Sequence, residues 1–497
     1  MSRKNGGIIG PANTPVGGLF KGVAGGVWRM NDVANFVSNS QWPKTPENID
    51  NSCLFDGSGY GQRSISTAGS GTTATFSAWV KASAEPDKAI FTSYIDSNNY
   101  VEIYFSSGQF RVYHYDGGST SNDVKTNAYF RDQSAWYNFH VIFDTTNGTE
   151  ADRIKIYVNG AEVTSFATSN YPTSSQDLEL SSTSVTFNLG ARNGDEQWNG
   201  YMAEVVFIDG QALTPSSFGE TNTATGIWTP KKIGQIASSG TNSFFLNFKD
   251  SSDLGNDASG LNNDFTVSGL ASTDQMTDTC VENFSTLNPL HKGSELSAVT
   301  FSEGNLKHQG TSSGASYPYS FSTIGASQGK WYAEFKRVSG DTMIGIASGI
   351  ADSFFGGTGS AKGYGMYPTG QVFESGSGSS YGSALNNNDI VGVAMDLDNN
   401  KLYFSINGTF QNSGVPTSGS TGTGAVSITA PADNGTGVYH FACGKAGNTV
   451  TNINANFGNP MESISSGNSD ANGFGNFEYS VPSGYYALNT SNLNTYG

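Results

Sequence analysis

Short runs of alternating or continuous apolar residues recur along most of the chain, separated by clusters of Gly, Asn, Asp and Ser. This pattern is typical of β-strands joined by turns. The clearest runs are TATFSAWVKA, YVEIYF, FRVYHY, WYNFHVIFD, RIKIYVNG and GYMAEVVFID in the first half, and GKWYAEFK, DIVGVAMD, KLYFSING and YHFACG in the second. No segment keeps a long helical period, so the sequence predicts an all-β protein in which helices are incidental.

Two tight hairpins are predicted by Asn-Gly pairs that follow a strand in each half. Asn159 and Gly160 end IKIYVNG, and Asn407 and Gly408 end KLYFSING. Both residue types tolerate a positive φ, which a two-residue type I′ turn requires. The repeated strand and turn indicate that the two halves contain related sheet structures.

Composition divides the chain into three parts. Residues 1–50 are rich in Gly and Pro with isolated large apolar side chains, so we expect an N-terminal arm in which only VWRMNDVANFV could form a short helix. The alternative is a poorly ordered terminus. Residues 51–290 and 291–497 each hold enough strands for a β-sandwich, and the 63 glycines and 12% aromatic residues fit that class. The tail of the first part, up to residue 290, is expected to add an edge strand.

The order of these motifs carries a family resemblance. FSAWVK, WYNFHVIFD, IKIYVNG, FNLGA and GYMAEVVFIDGQALTPSSF resemble the laminin-G and pentraxin-like branch of the concanavalin A-like sandwiches over about residues 50 to 220. GKWYAEFK, IGIA, YGMY, DIVGVAMDLDNNKLYFSING and NANFG resemble the SPRY branch of the same superfamily. The resemblance implies two tandem concanavalin A-like (jelly-roll) β-sandwiches preceded by the arm.

Four further strings resemble structural proteins of tailed phages, marine ones especially. They are GGIIGPANTP, GGVWRMNDV, NFSTLNPL and SGYYALNTSNL. The N-terminus shows no apolar stretch of signal-peptide length, and no run approaches a membrane span, which fits a protein made in the host cytoplasm. The resemblance implies a component of the virion on its head or tail surface, such as a tail fibre, a spike or a capsid-decorating appendage.

Charge and cysteine content narrow the function classes. The formal net charge of -17 would repel a polyanion over most of the surface, so nucleic acid binding is disfavoured. Cys53, Cys280 and Cys443 are too few and too scattered for a disulfide framework or a zinc site. We expect three free thiols, with a bridge between Cys53 and Cys280 as the alternative.

The hairpin YVEIYFSSGQFRVYHY places aromatic and charged side chains on one face of a predicted sheet. Pairing Phe105 with Phe110 across the SSGQ loop puts Val101, Ile103 and Val112 on the opposite, apolar face. The other side chains form what we call the tyrosine face, which consists of Tyr100, Glu102, Tyr104, Arg111, Tyr113 and Tyr115. Sugars stack on aromatic rings while polar neighbours bind their hydroxyls, so this face is a candidate glycan-binding site. The alternative is that the arm, the second sandwich or another subunit covers it.

An acidic and amide-rich stretch, DSSDLGNDASGLNND, is a candidate calcium site. Asp250, Asp253 and Asp257 would be its carboxylate ligands, because Ca²⁺ prefers oxygen ligands. The spacing matches no EF-hand loop, and the same residue types form turns without metal. No cofactor is otherwise expected, and calcium is the one exception that the sequence leaves open.

Motifs that would indicate catalysis do not occur in the sequence. The Glu-x-Asp-x-x-Glu string of concanavalin A-like glycosidases is missing, and so are a Gly-x-Ser-x-Gly elbow, a phosphate-binding loop and an HExxH string. Asp396 and Asp398 lie in a predicted hairpin connection, and His114 and His140 occupy predicted core or edge positions. We therefore expect a protein that is not an enzyme.

These observations lead to one hypothesis with two alternatives. The chain is expected to be a non-enzymatic virion surface protein that presents lectin-like sandwiches for adhesion to host-surface polysaccharide, as a homo-oligomer. The arm would bind other virion proteins, with Val27, Trp28, Met30 and Phe36 as docking residues, because such apolar anchors dominate interfaces. The alternatives are a glycan depolymerase of the virion and an adhesin of a cell.

Overall fold

The computed structural model describes residues 49–83, 87–222, 225–233, 240–292, 298–310, 317–349, 362–374 and 376–497. The predicted helix of the arm and its docking residues Val27, Trp28, Met30 and Phe36 lie outside the described residues. Within the described parts the chain is all-β and forms two β-sandwiches, as the sequence predicts.

The first sandwich is formed by two antiparallel sheets. Its strands are β1 (Ser52–Asp56), β2 (Tyr60–Ser64), β3 (Thr73–Ala82), β4 (Ala89–Asp96), β5 (Asn99–Ser106), β6 (Gln109–Asp116), β7 (Ser119–Tyr129), β8 (Tyr137–Asp144), β9 (Ile154–Val158), β10 (Ala161–Glu162), β11 (Phe166–Asn170), β12 (Thr186–Leu189), β13 (Asn199–Asp209), β14 (Gly219–Thr221), β15 (Trp228–Pro230), β16 (Phe244–Leu246), β17 (Thr266–Ser268) and β18 (Gln275–Met276).

One sheet, which we call the covered sheet, has the order β10-β9-β8-β3-β13-β1-β18, and β16 also pairs with β13. The other, the tyrosine sheet, has the order β11-β7-β6-β5-β4-β12-β2-β17. Strands β14 and β15 pair separately. The strands β16, β17 and β18 come from the tail of the first part, and β17 and β18 stand at sheet edges, so the expected edge strand is present.

Aromatic side chains fill the space between these two sheets. Alternation along β3 turns Phe76 inward from the covered sheet, and Phe91 and Phe187 meet it from the tyrosine sheet. The ring centroid of Phe91 lies 5.2 Å from those of Phe76 and Phe187 and 5.6 Å from that of Phe207. Burial of this apolar area is the main stabilising term of the sandwich.

The second sandwich is built in the same way from later strands. They are β19 (Leu287–Lys292), β20 (Val299–Ser302), β21 (Lys307–Gly310), β22 (Tyr319–Ser322), β23 (Lys330–Ser339), β24 (Thr342–Ala347), β25 (Gly363–Met366), β26 (Gln371–Glu374), β27 (Ser377–Ser380), β28 (Ile390–Asp396), β29 (Lys401–Ile406), β30 (Thr409–Phe410), β31 (Val426–Ser427), β32 (His440–Lys445), β33 (Thr451–Asn456) and β34 (Tyr486–Ala487).

Its two sheets have the orders β19-β22-β32-β24-β25-β26-β27 and β20-β21-β33-β23-β28-β29-β30. Strands β31 and β34 join the second of these at β29 and β23. Phe335, Phe441 and Phe457 lie in the core between the sheets, with ring centroids 5.7 to 6.4 Å apart. The described α-helix, α1 (Thr490–Tyr496), is short, and the 3-10 helices span Glu150–Asp152, Pro215–Ser217, Ser272–Asp274, Pro416–Thr421 and Pro431–Asp433.

Both predicted Asn-Gly hairpins are present. Asn159 and Gly160 have φ values of 49° and 76° between β9 and β10, and Asn407 and Gly408 have values of 47° and 78° between β29 and β30. Positive φ at both central residues is the type I′ geometry that the sequence predicts.

The two sandwiches meet at the covered sheet. The Tyr201 hydroxyl on β13 donates a hydrogen bond of 2.9 Å to the carbonyl oxygen of Gly304 in the second sandwich. The connecting segment 277–286 follows β18, and the backbone N–H groups of Thr277 and Asp278 donate to Asn459 Oδ1 at 2.9 and 3.2 Å. The second sandwich therefore lies on the side of the first sandwich that is opposite the tyrosine sheet.

The three cysteines are free thiols, with Cys53 and Cys443 buried. The alternative of a bridge between Cys53 and Cys280 is therefore wrong. Both residues lie near the covered sheet, and burial raises the pKa of each thiol well above its usual value. A high thiol pKa lowers the thiolate fraction and with it the reactivity of the sulfur.

Candidate functional site

The register of β5 and β6 places the tyrosine face where the sequence predicts it. Phe105 pairs with Phe110, and the outward pairs are Tyr100 with Tyr115, Glu102 with Tyr113, and Tyr104 with Arg111. The turn is tighter than the expected SSGQ loop, because Ser106 and Gln109 also pair and the turn consists of Ser107 and Gly108, which have φ values of 52° and 79°. The register is unchanged, since removing one residue from each side of the loop keeps the same partners opposite.

The tyrosines form a continuous aromatic surface across both strands. The ring centroid of Tyr100 lies 5.3 Å from that of Tyr115 and 6.2 Å from that of Tyr113. Tyr113 lies 6.0 Å from Tyr115 and 6.3 Å from Tyr104. All four side chains are partly exposed, so their rings are available to a ligand without any rearrangement of the sheet.

An ion pair fixes one end of this surface. Arg111 on β6 donates from Nε and Nη2 to the two carboxylate oxygens of Asp123 on β7, at 2.6 and 2.8 Å. Its guanidinium carbon lies 4.4 Å from the ring centroid of Tyr113, and Nη1 also donates to the Tyr104 hydroxyl. A bidentate guanidinium that stacks on an aromatic ring has little freedom left, so this end of the face is rigid.

A second ion pair lies at the other end. Arg192, in the loop after β12, approaches Glu102 Oε2 at 3.4 Å and Glu196 Oε1 at 3.3 Å, and its guanidinium carbon lies 5.1 Å from the ring centroid of Tyr100. Burial raises the pKa of Glu102 to about 7, against the lowering influence of Arg192. The other oxygen, Oε1, is buried and has no hydrogen-bond partner among the described residues, so no contact there offsets the cost of burying the charged form.

The hydroxyl groups of Tyr113 and Tyr115 form hydrogen bonds with the start of β7 and with the turn between β6 and β7. The Tyr113 hydroxyl lies 2.6 Å from Thr120 Oγ1, and the Tyr115 hydroxyl donates to the carbonyl oxygen of Gly118 at 2.7 Å. These contacts orient the two rings. They also leave the ring faces, rather than the hydroxyl groups, as the main contact surface for a ligand.

Three residues of this surface were missed by the sequence reasoning. Tyr94 on β4 pairs with Tyr100, and the two rings stack with centroids 6.3 Å apart. Asp123 comes from β7, a strand whose polar sequence STSNDVKTNAY gave no clear apolar alternation. Arg192 lies outside any strand of the tyrosine sheet. The available signal for β7 was Val124, which is buried between polar neighbours in the same strand.

The predicted calcium ligands do not converge. The Asp250 carboxylate accepts from the backbone N–H of Ser252, that of Asp253 accepts from Gly255, and Asp257 accepts from Phe245 and Asn263. The carboxylates of Asp250 and Asp253 stabilise their own turns, and that of Asp257 joins two backbone segments. No group of three metal-ligating side chains occurs in the described residues. The arrangement is that of turn-stabilising carboxylates, which is the alternative that the sequence left open.

Three other residues considered for catalysis are buried and contact other groups of the chain. Asp396 is buried and pairs with Lys330 at 2.9 Å. His140 is buried under the chain after β13, with Nε2 2.9 Å from the carbonyl oxygen of Leu213, and burial lowers its pKa to about 4. His114 is also buried, with Nδ1 3.0 Å from Asn122 Oδ1. Both histidines are core residues, as predicted.

Comparison with known proteins adds a family likeness for the first sandwich. A family model of the laminin G type, described as "Concanavalin A-like lectin/glucanases superfamily", matches residues 55–217. The predicted laminin-G resemblance is thereby confirmed for this part of the chain. No curated protein matches the chain at a significant level.

Solved structures with a similar arrangement include the SPRY domain of human HERC1, which is 13% identical, with a TM-score of 0.26, and covers 34% of this chain and 96% of its own. A heptameric SAP-like pentraxin from Limulus polyphemus is 16% identical, with a TM-score of 0.26, over 34% of this chain and 79% of its own. Domain 4 of AbnA, an arabinanase from Geobacillus stearothermophilus solved with arabinotriose, is 19% identical, with a TM-score of 0.26, over 33% of this chain and 73% of its own. Among the helices of the described ranges, none has the length and apolar character needed to cross a membrane.

Proposed function

We propose that the first sandwich binds carbohydrate and that the tyrosine face is its binding surface. The lectin-type family of residues 55–217 supports carbohydrate as the ligand class. The observation that carries the proposal is the partly exposed tyrosine surface on the sheet opposite the second sandwich, with its rings held by Arg111 and Arg192. A surface that is ordered before binding loses little conformational entropy when a ligand arrives.

Each binding site is expected to be weak. The face is a platform, and a ligand on a platform buries one side only, so useful retention requires several copies of the chain acting together. Adhesion to a surface polysaccharide, rather than capture of a free sugar, is the function that fits such a site. We propose that this role is non-enzymatic, because Asp123 and Glu102 are both paired with arginines that hold the tyrosines.

The test is retention of the full chain on immobilised polysaccharides. Replacing Tyr113 and Tyr115 by alanine should weaken retention by at least about tenfold, since each lost ring removes roughly 1 kcal/mol of stacking. Tyr157→Ala is the matched control, because Tyr157 is a partly exposed tyrosine of the covered sheet and should leave retention unchanged. Thermal unfolding of each variant checks the fold. Equal retention of the double variant and the parent would rule out the tyrosine face, and release of shortened products would favour a depolymerase.

We further propose, from the resemblance of the terminal and central strings to phage structural proteins, that the chain is displayed on a virion. In this proposal residues 1–50 attach it and the sandwiches face outward. Electron microscopy of particles labelled with an antibody to the second sandwich tests it. Labelling of intact particles is expected, and unlabelled particles from a lysate that contains the chain would contradict it.

A further inference from the structure

The tyrosine face is long in the direction of its strands. Tyr100 and Tyr104 are four residues apart on β5, which corresponds to roughly 13 Å along an extended strand. Tyr113 and Tyr115 fill the adjoining positions on β6, and neighbouring ring centroids are separated by 5.3 to 6.3 Å. A single sugar ring covers about one such separation, so one ring cannot occupy the whole surface.

Both arginines of the face already form ion pairs with carboxylates of the chain. Arg111 is held by Asp123 through two hydrogen bonds, and Arg192 lies between Glu102 and Glu196. An anionic sugar would have to compete with a carboxylate that is already in place for either arginine. The formal net charge of -17 over the whole chain adds a general repulsion of polyanions.

Lys125, a cation beside the tyrosine face, differs from the two arginines in its ion pairing. Lys125 on β7 lies opposite Arg111 and makes no ion pair within the described residues. A single, partly exposed lysine adds only a small attraction for an anion, because solvent and salt screen it. It provides a sensitive control, since its removal should matter only if the ligand is anionic.

From the length and the internal charge pairing of this surface, we propose that its ligand is a neutral polysaccharide, bound along several consecutive sugar rings rather than at a chain end. The inference rests on the proposed carbohydrate-binding function. It adds that the ligand is uncharged and that the face binds several consecutive sugar rings. The rings of Tyr100, Tyr104, Tyr113 and Tyr115 stack on successive sugars, and the arginine-carboxylate pairs position the rings without binding a charged group.

The first experiment measures retention of the full chain on two panels of immobilised polymers. The neutral panel is glucan, mannan, galactan and xylan, and the acidic panel is alginate, polygalacturonate and a sulfated galactan. We expect retention on a neutral polymer that depends on Tyr113 and changes less than twofold between low and high salt. Tyr113-dependent retention that is strongest on an acidic polymer would overturn this inference and leave the carbohydrate-binding function standing. Tyr113-independent retention, or none on either panel, would overturn both.

The second experiment uses oligosaccharides of one to six units prepared from the retained polymer. Affinity should rise roughly fivefold for each ring added over the first three units and then level off, as one stacking contact is gained at a time. A monosaccharide that binds as tightly as the hexamer would show recognition of a single terminal sugar and overturn the proposal. Lys125→Ala should leave the affinity for the neutral oligosaccharide within twofold. A larger loss would show that a charged side chain binds the sugar directly, which would contradict the proposal that the tyrosine rings alone carry the contact.

Discussion

The two outer faces of the first sandwich carry similar residue types and have opposite surroundings. On the tyrosine sheet, the ion pair of Arg111 and Asp123 stands among partly exposed tyrosines, with side chains 20% and 12% exposed. On the covered sheet, Lys81 and Asp278 form an ion pair of 2.7 Å beside Tyr201, with side chains 1% and 0% exposed. One face is partly exposed to solvent, and the other holds the connecting segment and the second sandwich in place.

The buried pair has further hydrogen bonds at both of its members, whereas the open pair has one at Arg111, to the Tyr104 hydroxyl. Asp278 Oδ1 accepts from Trp136 Nε1 at 2.9 Å, and Lys81 Nζ also donates to Asn283 Oδ1 at 2.7 Å. A buried charge is tolerated only when its partners are complete, so this network fixes the position of segment 277–286. The comparison shows that similar residue types on the two outer faces differ in exposure because the rest of the chain covers only one of the faces.

The largest effect is expected when the buried pair is broken. Asp278→Asn leaves the Lys81 ammonium group buried without a charged partner, which should lower the free energy of unfolding by about 3 to 5 kcal/mol. Urea unfolding followed by tryptophan fluorescence measures it, because Trp136 reports on the same network.

Lys249→Ala is the control for this experiment. Lys249 pairs with Asp50 at 3.5 Å, and both side chains are about half exposed, so its loss should cost less than about 1 kcal/mol. A cost for Asp278→Asn as small as that of the control would show that the network is hydrated and that the two outer faces differ less than their burial indicates.

The local parts of this comparison could be predicted from the sequence, and the long-range parts could not. Alternation and the Asn-Gly pairs predict the strands, the hairpins and the β5-β6 register, because each depends on neighbours along the chain. Asp278 lies 197 residues from Lys81, and Arg192 lies 90 residues from Glu102. The local sequence pattern does not indicate contacts between such distant residues. For this reason the sequence could not decide whether the tyrosine face binds a ligand or is covered by another part of the protein.

A smaller effect is expected from the pH dependence of Glu102. Its folded pKa of about 7 exceeds the usual value, so the folded state binds more protons than the unfolded state between about pH 4.5 and 7. The stabilisation that protonation provides is therefore complete below about pH 4.5 and is lost as the pH rises through 7. Relative to the parent, Glu102→Gln should gain about 1 to 3 kcal/mol between pH 5 and 8.

Urea unfolding of the parent and Glu102→Gln at half-unit pH steps measures this difference. Glu282 provides a second test of this pH dependence. It lies in segment 277–286 on the side of the covered sheet, and burial raises its pKa to about 7 as well. Glu282→Gln should give a difference of the same sign. A stability difference between Glu102→Gln and the parent that stays constant from pH 5 to 8 would contradict the burial of Glu102 beneath the tyrosines.

The smallest expected effect comes from removing one tyrosine hydroxyl on each face. Tyr201→Phe deletes the donor to the carbonyl oxygen of Gly304, a buried group that then loses this partner, so the free energy of unfolding should fall by about 1 to 1.5 kcal/mol. Tyr113→Phe deletes a contact with Thr120 at the solvent edge, where water replaces it, and should change stability by less than about 0.5 kcal/mol.

Because both substitutions remove the same single atom, the difference between them measures how completely the second sandwich excludes water from the covered sheet. Equal losses in paired urea titrations would mean that the tyrosine face is itself covered in solution, for example by a second copy of the chain, and its assignment as an open binding surface would then be wrong.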